Sequence, residues 1–141
     1  MIGKAKTNAL MLLALLMLGA CSQQETGPWL AFDGGGFVVN YSGGYAAAFY
    51  GFNVKPLRRL PTGTVIEAVM EDPAGGPAII DRKAVDGPAL RYSFRTPYLH
   101  GIAANHPYIA EVRVLEAGTS KVLASYKAEF KSKVDDAWLQ K

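Results

Sequence analysis

Few side chains of this 141-residue chain could carry out chemistry. The sequence contains one cysteine, Cys21, and two histidines, His100 and His106. The histidines are six positions apart across Gly101 and Pro107, a spacing unlike that of a helical or tight-turn pair of metal ligands. The chain also lacks the H-E-x-x-H, C-x-x-C and G-x-S-x-G patterns of zinc, thiol-redox and serine-hydrolase sites. The sequence therefore predicts no metal site.

The carboxylates are dispersed along the chain and nominate no catalytic pair. Asp81 and Asp86 flank Arg82 and Lys83, a mixture of charges typical of a solvated loop. The glycines of residues 34–36 lack the helix and lysine that follow a phosphate-binding loop, so we interpret them as a flexible approach to the first strand. We expect no catalytic residue and no cofactor, and we predict that the protein is not an enzyme.

Cys21 stands at the end of an apolar run, residues 9–20, which follows Lys4 and Lys6. Positive residues, a short apolar stretch and small residues at its end indicate a secretory signal peptide. Residues 18–21, Leu-Gly-Ala-Cys, resemble the lipobox of bacterial lipoproteins. The resemblance implies that the Cys21 thiol receives a diacylglycerol, that the chain is cut before it, and that the new N-terminus is acylated. Cys21 would then carry three acyl chains, palmitate among them, and anchor the protein to a membrane.

Three other interpretations of this segment stay open. A buried core helix is one of them, although nothing upstream would cap or flank it. A transmembrane helix needs about 20 apolar residues, whereas the uninterrupted stretch here has twelve. An ordinary signal peptide would leave Cys21 as a free thiol, which is unusual in an oxidising compartment. Ser22 follows the cysteine. By the same resemblance, a residue other than aspartate at this place implies the outer membrane, with the domain facing the periplasm.

Processing before Cys21 would leave a chain of ordinary single-domain size. The 15 Lys and Arg residues include Lys4 and Lys6, so 13 would remain against 12 acidic residues. A nearly neutral chain gives no electrostatic basis for binding nucleic acid. With its one cysteine lipidated, the domain would be stabilised by packing without disulfides. We predict a signal peptide (1–20), a lipidated N-terminus and tether (21–32), a folded domain (33–134) and a C-terminal tail (135–141).

The folded part shows a period of two and no sustained helical period. Strands are predicted at residues 37–41, 45–54 with an interruption at Gly51, 64–71, 78–80, 90–95, 108–114 and 121–131. The last two should form a hairpin. The alternation predicts that the side chains facing the core are Ile66, Ala68 and Met70; Leu90, Tyr92 and Phe94; Tyr108, Ala110, Val112 and Val114; and Val122, Ala124, Tyr126, Ala128 and Phe130.

The region of residues 99–130 resembles the corner of fibronectin type III and immunoglobulin-like domains. In that family an apolar residue precedes a tyrosine by six positions, as Ile102 precedes Tyr108 here. The resemblance implies that the tyrosine hydroxyl bonds back to the backbone at the corner. The proline and glycine usual between them are replaced by Ala104 and Asn105. Together with the strand pattern, this predicts an all-β, immunoglobulin-like β-sandwich of about seven strands.

Three groups of residues are candidates for a partner or ligand surface. They are the aromatics Tyr45, Phe49, Tyr50 and Phe52; the basic residues Lys55, Arg58 and Arg59; and the pair Tyr98 and His100. The basic residues are either a solvated loop or a contact for anionic headgroups, lipopolysaccharide or an acidic partner. We predict a membrane-anchored, non-catalytic binding or assembly module whose partner is another envelope protein. The alternatives are a binder of a sugar, lipid or peptidoglycan fragment, and an inhibitor of a foreign hydrolase acting through the loop at residues 96–107.

Overall fold

The computed structural model describes residues 26–141, and these form an all-β domain with one short helix. Cys21 and the rest of the predicted leader lie outside the described residues. The elements in chain order are β1 (Leu30–Ser42), β2 (Tyr45–Pro56), β3 (Val65–Met70), β4 (Ile79–Ala84), β5 (Tyr92–Arg95), β6 (Tyr108–Leu115), β7 (Val122–Phe130) and α1 (Asp136–Leu139). Among the described residues, no helix is long and apolar enough to cross a membrane.

The strands form two antiparallel sheets that share one core. The three-stranded sheet has the order β1-β2-β5, and the four-stranded sheet has the order β4-β3-β6-β7. Aromatic rings join the sheets: Phe37 of β1 lies 5.1 Å from Tyr50 and 5.9 Å from Tyr108 of β6, measured between ring centroids. Phe130 of β7 stacks on Tyr50 and on Phe52. The predicted β-sandwich is therefore confirmed as two packed sheets.

The period of two identifies the core faces of β3 and β6 correctly. The predicted core side chains of both strands are buried, and the predicted hairpin of β6 and β7 is present. The prediction that Leu90 faces the core is wrong. Its side chain is 93% exposed, in a loop that ends where β5 begins at Tyr92. Val122 is also half-exposed, since the register of the hairpin shifts between Val114 and Leu115, next to the turn.

β1 begins earlier than the sequence predicts, at Leu30, within the segment assigned to the tether. The glycine run lies inside this strand, at a bulge between Phe32 and Gly35, and is not a flexible approach to it. A Cβ atom on Gly35 would lie 2.6 Å from Cβ of Phe52, so only glycine lets the two strands approach here. β2 is likewise continuous through Gly51, which pairs with Gly36 on one side and Arg95 on the other.

The antiparallel registers sort the loops into two opposite ends of the sandwich. The N-terminal end holds the start of the described chain, residues 26–29, and the loops at 55–63, 85–91 and 115–121. The C-terminal end holds the turn at 42–45, the loops at 71–78 and 96–107, and the tail at 131–141. Most candidate residues of the sequence lie at one end or the other.

Candidate functional site

The aromatic residues of β2 divide between the two faces of the strand. Tyr50 and Phe52 are buried in the core, and the Tyr50 hydroxyl donates a hydrogen bond to the carbonyl of Glu71 at 2.6 Å. Burial raises the pKa of Tyr50, with a smaller contribution from the negative charge of Glu71. Neither side chain reaches the surface. Of these four aromatics, the candidate surface therefore retains only Tyr45 and Phe49.

The outer face of the three-stranded sheet carries Phe49 in a small polar and aromatic group. The Arg95 guanidinium lies 4.0 Å from the centre of the Phe49 ring, and the Tyr98 ring meets its edge at 5.9 Å. Nδ2 of Asn40 donates a hydrogen bond to the Tyr98 hydroxyl at 3.0 Å. Beside this group, Gly36, Gly51 and Asn53 line part of a shallow cleft of about 650 Å³. Because Gly36 and Gly51 have no side chain beyond a hydrogen atom, the cleft is deeper at these two positions.

The basic candidates lie at the N-terminal end. The guanidinium of Arg58 stacks on Trp29 at 3.9 Å, and its Nη1 donates to the carbonyl of Gly27 at 3.3 Å. Lys55 and Arg59 are exposed, and neither makes an ion pair within residues 26–141. Arg58 thus binds residues 27–29 at the start of the described chain, whereas Lys55 and Arg59 are charged groups exposed to solvent.

Two loops enclose a cleft of about 580 Å³ at this same end. One wall is the loop after β2, with Leu57, Arg59 and Pro61, and the other is the loop before β5, with Pro88 and Ala89. Leu57 is 46% exposed, and Leu90 extends beside this second wall with nearly all of its surface in solvent. The surface there combines basic and aliphatic side chains.

Exposed aromatic residues gather at the C-terminal end. Tyr41 and Trp138 meet edge to face with ring centroids 5.9 Å apart, and Tyr45 is 82% exposed beside them. These three rings, with Leu139 and Lys141, line part of a cleft of about 710 Å³. Trp138 belongs to α1, so the cleft joins the β1–β2 turn to the tail. The sequence pattern did not indicate this pairing, because 97 positions separate Tyr41 from Trp138.

The tail also holds the loop at 96–107 in place. The Asp136 carboxylate accepts hydrogen bonds from the backbone N–H groups of Gly101 and Ile102, the latter at 3.1 Å. The N–H of Asn105 donates to the carbonyl of Ser132 at 2.7 Å. Asn105 has a φ of 59°, a conformation that asparagine tolerates better than most residues. Residues 131–141 therefore fix the position of the loop at 96–107 through these hydrogen bonds.

Ile102 and Tyr108 lie together at the corner that leads into β6. Both side chains are buried, and the Tyr108 hydroxyl accepts a hydrogen bond from the N–H of Ala103 at 2.8 Å. The His106 ring packs on Tyr108 at 4.8 Å, while His100 is exposed on the loop. Within residues 26–141, no three residues of the types His, Cys, Asp and Glu are grouped to hold a metal ion.

A row of charged residues crosses the outer face of the four-stranded sheet. Glu67 is buried between Arg82 at 2.7 Å and Arg113 at 3.4 Å, and Arg113 also pairs with Glu111 at 3.0 Å. The Arg113 hydrogen bond, followed by that of Ser125, lowers the pKa of Glu111. Every carboxylate of the row is occupied by a neighbouring strand. We therefore interpret the row as a set of cross-strand ion pairs and hydrogen bonds that stabilise the four-stranded sheet.

No protein-family model matches the chain, and neither a curated protein nor a solved structure matches it.

Proposed function

We propose that this protein is a lipid-anchored, non-catalytic binding or assembly module of the cell envelope, held on the outer membrane and facing the periplasm. The anchor is Cys21, supported by the lipobox-like residues 18–21 behind an apolar stretch. The partner is another envelope protein, and the site that receives it is the aromatic group of Tyr41, Tyr45 and Trp138. Nucleic acid does not suit a chain with so little net charge after processing.

The observation that carries this proposal is the placement of the aromatic group relative to the start of the described chain. Residues 26–29 lie at the N-terminal end, and the three exposed rings lie at the C-terminal end. A membrane anchor at Cys21 would direct the aromatic end away from the lipid, where a partner can reach it. Tyrosine and tryptophan are the residues most often found at the centres of protein interfaces.

We also propose an immunoglobulin-like form of the sandwich, close to that of fibronectin type III domains. Two features support it. In sheets of the order β1-β2-β5 and β4-β3-β6-β7, the chain crosses from one sheet to the other after β2, after β4 and after β5, and such crossings between two sheets are typical of these sandwiches. The hydrogen bond from the Ala103 N–H to the Tyr108 hydroxyl corresponds to the bond expected at the corner before β6. Sandwiches of this kind serve many functions, so the fold alone assigns none.

Fractionation of the envelope tests the anchor. In cells that produce Cys21→Ser, we expect those chains whose leader is removed by another signal peptidase to leave the membrane fraction and to appear in the soluble periplasm, whereas chains that keep the leader stay on the membrane through it. Cys21→Ser also blocks lipid-dependent cleavage, so the leader is measured by mass spectrometry in the same sample. A chain that stays on the membrane after its leader is removed would contradict the anchor.

Site-specific photocrosslinking tests the partner surface. A photoreactive phenylalanine analogue at Tyr45 should capture a discrete envelope protein in intact cells. The matched control carries the analogue at Thr119, which is exposed in the turn at the opposite end. Equal capture from both positions, or capture only from Thr119, would show that the aromatic end is not the binding surface.

One observation favours a second function, the binding of a sugar or peptidoglycan fragment. The rings of Tyr41, Tyr45 and Trp138 line a cleft, and exposed aromatic rings can pack against the apolar faces of sugars. The chain has two tryptophans, Trp29 and Trp138, one at each end. Titration with muropeptides should then change tryptophan fluorescence in the wild type and in Trp29→Phe but not in Trp138→Phe. An unchanged signal in all three proteins would exclude this function.

A further inference from the structure

We propose that the N-terminal end of the sandwich docks onto the headgroups of an anionic phospholipid surface and so holds the domain upright on its membrane. This inference rests on the proposed lipid anchor at Cys21. The docking surface, named the basic loops, consists of residues 55–61 and 86–91. It adds a second contact to the anchor and determines the orientation of the domain.

Charge is the first argument. The three loops of the N-terminal end contain five basic residues and two acidic ones: Lys55, Arg58, Arg59, Arg91 and Lys121 against Asp86 and Glu116. Arg91 is partly neutralised by Asp33 at 3.2 Å, and Arg58 is occupied with Trp29 and Gly27. Lys55 and Arg59 are exposed, and neither makes an ion pair within residues 26–141. Each such residue is worth about 1 kcal/mol close to an anionic membrane surface, and salt screens that attraction.

Exposed aliphatic side chains are the second argument. Leu90 has 93% of its surface exposed, and Leu57 is half-exposed on the facing loop. A leucine in water at a loop tip is costly for a free surface, but it is stabilised when it enters the boundary between headgroups and acyl chains. Arg59 and Arg91 neighbour these leucines, so basic groups can meet phosphates while the leucines enter the apolar layer. This combination is typical of membrane-surface contacts and is lacking at the opposite end, where acidic residues outnumber lysines.

The length of the chain before the domain is the third argument. Five residue steps separate Cys21 from Thr26, and such a segment spans at most about 18 Å even when fully extended. Arg58 binds the carbonyl of Gly27, so the basic loops lie where this short segment joins the domain. A lipid on Cys21 therefore keeps these loops within reach of the headgroups at all times. Docking then becomes an intramolecular event with a small entropic cost.

The test uses the single-cysteine character of the chain. With Cys21 occupied by lipid, a cysteine introduced at Leu90 is the one thiol available to an environment-sensitive dye. The full chain, purified from membranes, is reconstituted on phosphatidylcholine vesicles with or without phosphatidylglycerol. A second protein carries the cysteine at Tyr45, which is exposed at the opposite end. We expect the dye at position 90, but not at 45, to shift to shorter wavelength and to be quenched by nitroxide-labelled lipid on vesicles that contain phosphatidylglycerol.

Charge reversal sharpens the same experiment. In the Leu90→Cys background, Arg59→Glu changes the local charge by two, and we expect the ratio of docked to free domain to fall roughly thirtyfold. Lys133→Glu makes the same charge change at the opposite end and should leave the ratio unaltered. Raised salt should release the wild-type domain in the manner of Arg59→Glu. Circular dichroism of both variants verifies that the exposed substitutions leave the fold intact.

Flotation of the vesicles separates the two possible failures. A chain that does not float with the vesicles overturns the anchor, and with it the proposed function and this inference together. A chain that floats, but gives the same dye signal at positions 90 and 45 on anionic vesicles, overturns the docking alone. Equal responses to Arg59→Glu and Lys133→Glu would also overturn it, since the contact would then not involve the basic loops.

Discussion

The two ends of the sandwich hold their loops with groups of opposite charge. At the N-terminal end, the Arg58 guanidinium binds the carbonyl of Gly27 and stacks on Trp29. At the C-terminal end, the Asp136 carboxylate accepts the N–H groups of Gly101 and Ile102. The first arrangement leaves an excess of positive charge around exposed leucines, and the second leaves aromatic rings on a nearly neutral surface. This difference is the basis for proposing anionic lipid as the contact of one end and a protein or sugar as the contact of the other.

At each end of the sandwich, a tyrosine hydroxyl accepts a hydrogen bond from a backbone N–H group. The Tyr126 hydroxyl accepts the N–H of Trp29 at 2.7 Å and secures the start of the chain at the N-terminal end. The Tyr108 hydroxyl accepts the N–H of Ala103 at 2.8 Å and secures the corner at the C-terminal end. Each end is therefore stabilised by its own tyrosine hydrogen bond, which joins residues 97 positions apart at the N-terminal end and five positions apart at the C-terminal end, and each can be weakened separately.

We expect the largest effect on stability from a substitution in the core, because the core supports both ends of the sandwich. In Gly35→Ala, the new methyl group would meet Cβ of Phe52 at 2.6 Å and Cε1 of Phe130 at 2.8 Å in the middle of the sandwich. We expect the free energy of unfolding to fall by about 3 kcal/mol, because the overpacked atoms belong to a strand and the core. Urea denaturation measures the change.

Gly76→Ala is the matched control for that substitution. Its methyl group would meet the flexible carboxylate of Asp72 in a turn, so the loss should be much smaller. Equal losses for the two glycines would show that the close approach at the bulge of β1 is not a constraint on the core.

The two tyrosine-to-phenylalanine substitutions compare the ends directly. Tyr108→Phe leaves the N–H of Ala103 without its acceptor beside a buried ring, and should lower the free energy of unfolding by about 1–2 kcal/mol. Tyr126→Phe should cost less, because Tyr126 is only partly buried and water can replace its hydroxyl. Thermal unfolding of both variants gives the ranking, and a larger loss for Tyr126→Phe would reverse the assignment of the more tightly held end.

Loosening of the tail should be confined to the C-terminal end. Asp136→Asn removes the charge that receives two backbone N–H groups, and we expect a loss of about 1 kcal/mol together with faster amide exchange at Gly101 and Ile102. Exchange at Trp29 should not change. Asp86→Asn, in an exposed loop of the other end, serves as the control, and faster exchange at Gly101 in that variant would contradict a local clamp.

The smallest expected effect lies in the sheet between the ends and depends on pH. Hydrogen bonds from Arg113 and Ser125 lower the pKa of Glu111 below its ordinary value of 4.5. Its stabilising contribution is therefore fully present above the pKa of the unfolded chain, and it is lost as the pH falls through the lower folded-state pKa. Ser125→Ala should reduce this loss of stability between about pH 5 and pH 3.

Ser93→Ala provides the control for the pH series. The Ser93 hydroxyl donates to the uncharged amide of Asn53 at 2.6 Å, so its removal should shift stability by the same amount at every pH. A pH-dependent difference for Ser93→Ala, or none for Ser125→Ala, would contradict the role of the Glu111 hydrogen bonds.

The strands could be predicted where one face of the chain is uniformly apolar. Ile66, Ala68 and Met70 alternate with other side chains, and all three are fully buried. On β2 the aromatics occupy both faces, so alternation alone could not decide whether Tyr50 or Phe49 faces the core. The bulge at Gly35 was also beyond prediction, because it depends on the approach of Phe52 and Phe130 from two other strands.

The amino-acid pattern alone determined the all-β class of the fold and the hairpin of β6 and β7, and it is also the basis for the proposed lipid anchor at Cys21. These follow from local chemistry, since a pleated strand alternates its faces with a period of two and a leader is read as a linear segment. Only the tertiary structure brought Trp138 to Tyr41, Asp136 to Gly101, and the loop with Pro88 and Ala89 to the cleft that Arg59 also lines. These contacts join residues that are distant in sequence, and they form only when the two sheets pack together. The exposure of Leu90 likewise depends on where β5 begins in the folded sheet.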